Sequence, residues 1–100
     1  MVMRLKNGYV KIYGIKPELV LGIIILQSFF NEELIITSGS EHTTKHMPSS
    51  LHYSGNAVDI REPAETSAYT KTEIKNALGS EFDLIFEKDH WHLEFQPKII

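Results

Sequence analysis

Two alternating stretches near the end of the chain constrain its fold most. Residues 82–86 read Phe82, Asp83, Leu84, Ile85, Phe86, and residues 91–95 read Trp91, His92, Leu93, Glu94, Phe95, with a short polar segment between them. This pattern predicts a β-hairpin. Side chains alternate across a strand, so Phe82, Leu84 and Phe86 share one face, as do Trp91, Leu93 and Phe95. His90, His92 and Glu94 then share the opposite face. Residues 56–60 read as another strand, with Val58 and Ile60 on one side and Ala57 and Asp59 on the other; Arg61 follows Asp59 by two and shares its face. One sheet can thus bury an apolar face and present Asp59, His90 and His92 together on a polar one. The expected class is α+β: an antiparallel sheet with helices packed on one face.

The helices follow from the rest of the chain. Pro17 and Glu18 suit the first turn of a helix, and residues 19–30 read as a largely buried helix closed by Asn31. The isoleucine run at 23–25 leaves a strand as the alternative. Thr70 and Glu73 form a capping box for a short helix through Leu78, with Gly79 as its stop. Residues 9–13 alternate and predict a short edge strand, and residues 34–37 predict another, ended by Ser38, Gly39 and Ser40. Residues 40–53 show no clear periodicity and read as a loop. One hundred residues without repeats or a linker predict a single domain over 1–100.

Composition removes several function classes. The chain has no cysteine, which excludes disulfides, thiolate zinc sites and cysteine nucleophiles. A formal charge of −3 with no basic run argues against nucleic acid as a partner. The apolar segment at 19–30 is about half of what a bilayer requires, so no membrane association is expected. No signal-type segment is visible at the N-terminus. The expectation is a monomer made in the cytoplasm. No phosphate loop or Gly-x-Ser-x-Gly elbow is present.

His52, Asp59 and His92 supply two imidazoles and a carboxylate, which suit a zinc ion with an open fourth position for water. A bound metal makes such a water acidic enough to be useful near neutrality, and a nearby carboxylate can act as proton carrier. Asp89 is the candidate base, with Glu94 next. Asp89 lies three residues before His92, so on a regular strand it points away. Its role requires that residues 88–90 belong to the turn.

The run Ser50, Leu51, His52, Tyr53, Ser54, Gly55, Asn56, Ala57, Val58, Asp59 resembles the Ser-x-His-x-x-Gly-x-Ala-x-Asp motif of the zinc D-alanyl-D-alanine carboxypeptidase family, which includes L-alanyl-D-glutamate endopeptidases of phage endolysins. Asp89, His90, Trp91 and His92 resemble its second motif, and Ile36, Thr37, Ser38 and Gly39 its preceding strand end. The resemblance covers roughly residues 17–96. It implies a D-Ala-D-Ala carboxypeptidase or hedgehog-like fold with the zinc site on the sheet face opposite the helices. It implies His52, Asp59 and His92 as zinc ligands, Asp89 as base, and His90 lining the site. Ser50 would support the ligand loop. The substrate it implies is a peptidoglycan stem peptide or a D-amino-acid peptide, hydrolysed at an amide bond through a metal-activated water. Many members carry an arginine after the Ser-Gly segment, where this chain has Ser40, Glu41 and His42. Arg61, Lys45 or His46 are the candidate replacements toward substrate.

Two other classes fit the same residues. One is a metal-binding module that no longer hydrolyses and binds cell wall or protein. The other is a structural, virion-associated domain whose histidines and aspartates line a polar sheet face.

Overall fold

The computed structural model describes residues 4–8, 10, 12, 14–39, 55–64 and 71–96. Within them lie five strands and two helices: β1 (Arg4–Leu5), α1 (Pro17–Gln27), β2 (Ile35–Ser38), β3 (Ala57–Arg61), α2 (Lys71–Leu78), β4 (Phe82–Phe86) and β5 (His90–Phe95). The strands form one sheet in the order β1-β2-β3-β5-β4. The chain is α+β, as its alternation predicts.

The sheet is mixed, which corrects the expectation of a wholly antiparallel one. β1 runs parallel to β2, with Arg4 beside Ile35 and Leu5 beside Ile36. The other neighbours are antiparallel. A parallel neighbour requires a crossover connection, and the segment carrying α1 supplies it. The alternation at 9–13 does not produce a strand at its described positions: Val10 turns into the core and Ile12 is exposed. Residues 9, 11 and 13 lie outside the described set, as do Thr70 of the expected capping box and all of the expected loop at 40–53.

α1 begins at Pro17, with Glu18 in its first turn, as the sequence predicts. The helix prevails over the strand because helical spacing gathers Leu19, Ile23 and Leu26 into the core. It ends at Gln27, four residues before Asn31, and Gln27 itself explains the early stop. Its side chain accepts from the Leu34 N–H at 3.1 Å and donates to the Glu32 carbonyl at 2.8 Å, folding the chain back into β2. The helix is apolar all round, so its outer side leaves Leu21 and Ile24 exposed. Gly22 lies against Phe82, where a Cβ would collide with the ring. α2 ends at Gly79, whose φ of 90° an L side chain rarely adopts.

The core lies between the helices and one sheet face. Leu19, Ile23 and Leu26 of α1 and Ile74 and Leu78 of α2 pack with Ile36, Val58, Ile60, Leu84, Trp91, Leu93 and Phe95. Trp91 is its centre, with the Phe86 ring edge-on at 4.9 Å and the Phe30 ring tilted at 5.9 Å. The β2–β3 register shifts by one residue between Ile36, which faces Ile60, and Ser38, which faces Asp59.

Candidate functional site

Pairing of β3 with β5 builds the polar face. Asp59 lies directly opposite His92, Arg61 opposite His90, and Ala57 opposite Glu94. Two residues 33 apart in sequence therefore meet because both strands keep strict alternation. Their neighbours Val58, Ile60, Trp91 and Leu93 are pinned in the core, and slipping the register by one would expose that whole set.

His92 sits at the centre. Its Nδ1 lies 2.8 Å from Asp59 Oδ1 and its Nε2 lies 2.7 Å from Glu94 Oε1. Gln96 Nε2 donates to Glu94 Oε2 at 2.5 Å, so Glu94 is itself held. An ionised carboxylate only accepts, so both ring nitrogens must donate for both bonds to exist; that is the imidazolium form. Burial is the largest single influence and pushes the His92 pKa down. The bonds to Asp59 and Glu94, with their negative charge, outweigh it and leave the pKa raised.

His90 is the second centre. Its Nδ1 lies 2.8 Å from Asp89 Oδ1, and its Nε2 lies 3.6 Å from Glu87 Oε2 and 4.0 Å from Asp59 Oδ1. The Asp89 hydrogen bond is the chief cause of a raised His90 pKa, and the same bond lowers that of Asp89.

The turn that Asp89 requires is present in part. Residues 87–89 leave the ladder and His90 re-enters it, with the Glu87 N–H donating to the His90 carbonyl at 2.9 Å. The Asp89 side chain is 87% exposed and pairs with His90. It reaches the cluster through that ring, whereas Glu94, the other candidate base, touches His92 itself. Arg61 is exposed beside His90. Glu87 escaped the sequence reading, although hairpin parity places it across from His90. Ala57 is fully buried beside Glu94.

His52, Ser50 and His46, together with Lys45, lie outside the described residues. Gly55 is described, and its role is specific. Its carbonyl accepts from the Lys16 N–H at 2.9 Å, its φ is 78°, and a Cβ there would collide with the Gly14 carbonyl. Glycine is required because the entry to α1 crosses this backbone at contact distance.

Asp59 and His92 are of residue types that bind metals, but the 2.8 Å between Nδ1 and Oδ1 is hydrogen-bond distance and is shorter than the about 3.3 Å between two ligands of a tetrahedral zinc ion. Among the described residues no group of three His, Cys, Asp or Glu is placed to hold a metal ion. No described helix is long and apolar enough to cross a membrane. Neither a protein-family model nor a curated protein sequence matches this chain.

Proposed function

We propose that the chain is a zinc-dependent peptidase acting on peptidoglycan stem peptides or other D-amino-acid peptides, with Asp59, His92 and His52 as ligands. The observation that supports this reading is the meeting of Asp59 with His92 at 2.8 Å. It joins the two sequence motifs whose combination suggests the family. A zinc ion held there would supply a Lewis acid and a water of lowered pKa.

The chain's own residues would do the rest. Glu94 would hold the His92 ring through its Nε2, while Nδ1, which is bonded to Asp59, would have to give up its proton before it could act as a ligand. Glu94, held by Gln96, and Asp89, held by His90, are the carboxylates positioned to carry a proton. His90 offers a donor toward a carbonyl oxygen, and Arg61 is the described cation nearest in register for a substrate carboxylate.

Elemental analysis of the purified chain tests the metal, and mass spectrometry of defined stem peptides tests the cleavage. The expected result is about one zinc per chain, lost in His52→Ala and Asp59→Ala, with cleavage lost alongside it. Asp89→Asn and Glu94→Gln should keep zinc, and whichever abolishes cleavage identifies the base. Protein that neither binds zinc nor cleaves any stem peptide would sink the reading.

One observation favours a non-enzymatic reading. Both His92 nitrogens already have carboxylate partners, so the cluster is complete as a polar lining without a metal. Under that reading zinc neither binds nor raises the melting temperature.

A further inference from the structure

Among the described residues the exposed large apolar side chains are Ile12, Leu21, Ile24 and Ile85. Of these, Ile85 belongs to a strand. In β4, Leu84 pairs with Leu93 in the core, while Ile85 comes directly opposite His92 and Asp83 opposite Glu94. Alternation therefore sets Ile85 and Asp83 on the polar face. The registers of β2, β3, β5 and β4 complete a row across the sheet: Ser38, Asp59, His92, Ile85. Neighbouring strands lie about 4.8 Å apart, so Ile85 is one strand away from His92 and two from Asp59.

Ile85 thus ends a row of polar groups with a branched hydrocarbon that is 46% exposed. Its surroundings are acidic. Asp83 stands two residues before it on the same face, and Glu94 lies on the diagonal. Glu87, two residues after it, turns to the same side, with its Oε2 3.6 Å from His90 Nε2. A hydrocarbon in this place gains by burial against another apolar group. The three carboxylates around it repel an acidic one. Space continues past Ile85, because it borders an open groove of ≈530 Å³ lined by Lys75, Asn76 and Ser80 along with Asp83. Sites that hold small ligands have volumes of about 300–1,000 Å³.

We infer that Ile85 sets substrate specificity: it seats the side chain of a residue beside the cleaved bond, favours an apolar one there and rejects an acidic one. The inference rests on the peptidase reading, because the row places Ile85 next to the ligand candidate His92. It also narrows that reading. Of the alanyl and glutamyl residues that stem peptides offer, the alanyl side chain is the one that fits on Ile85. The isoleucine has no group that can hold a metal or carry a proton, so its part is selection and not chemistry.

Peptides carrying Ala, Leu, Glu or Lys on either side of the scissile bond test it, with kcat/KM read by mass spectrometry and the Ile85 methyl groups followed by NMR. At one of the two positions the wild type should prefer Ala or Leu to Glu by about tenfold or more. Ile85→Ala should shrink that preference to about threefold or less, and Ile85→Lys should turn it towards Glu. Both variants should hold as much zinc as the wild type. The Ile85 methyl resonances should shift when the alanyl peptide is added to zinc-free protein. A chain that binds zinc and cleaves, but shows the same preferences in wild type, I85A and I85K, overturns the inference and leaves the peptidase reading standing. So does a wild-type preference for Glu or Lys at both positions, or methyl resonances that ignore the peptide. A chain that neither binds zinc nor cleaves overturns both. Circular dichroism checks that both variants fold.

Discussion

The two faces of the sheet are held by different physics. On the apolar face Trp91, Leu93, Val58 and Ile60 are sealed under two helices, and their stabilisation scales with area and volume. On the polar face His92 and His90 are held by carboxylates at hydrogen-bond distance. The first face has no titratable group among its core residues. The second is a set of charges that proton concentration can rearrange. Scaffold and chemistry are thus separated by the thickness of one strand, and alternate residues of β5 serve each.

Four outcomes would break or sharpen this contrast. Trp91→Ala empties the centre of the core and should cost about 3–5 kcal/mol, read by denaturant unfolding; a loss that varies with pH would mean the faces are not separate. Gln27→Ala leaves the buried Leu34 N–H without its acceptor and should cost about 1–3 kcal/mol, again without pH dependence. Asp59→Asn removes the anionic partner of His92 and should cost about 1–2 kcal/mol near pH 6 and much less in alkaline solution, where the ring is neutral. The smallest effect is the pH profile of the metal-free chain. His90 and His92 have raised pKa values, so their contribution is complete below about pH 6.5 and fades as pH climbs through the raised values. Asp89 is lowered, so its contribution holds above about pH 4 and fades as pH falls through the lowered value. Polar-face stabilisation should therefore peak in mildly acidic solution. Melts of wild type and His92→Gln across pH check this, and a constant difference between them would refute it.

Period-two alternation made the hairpin and the shared face of Asp59, His90 and His92 legible, because each strand carries its own parity. Pro17 and Gly79 marked helix ends for equally local reasons. Other features depend on distant partners. β1 is two residues matched to partners 31 positions later, and a parallel pairing leaves no local trace. The early stop of α1 depends on where Gln27 finds carbonyls. Sequence suggested Asp89 as a base from the run Asp89, His90, Trp91, His92 in spite of its spacing from His92, and which ring a turn residue touches is set by the turn. Strand order, which sets β4 last in the sheet, is not written in any one segment.

The register shift in β2 gives that strand one residue more than its ladder with β3 needs. Removing Thr37 would bring Ser38 directly after Ile36, and both would keep their present neighbours, Ile60 and Asp59. The strand beside the site therefore has slack built into it: its length can change by one residue while the facing positions keep their partners.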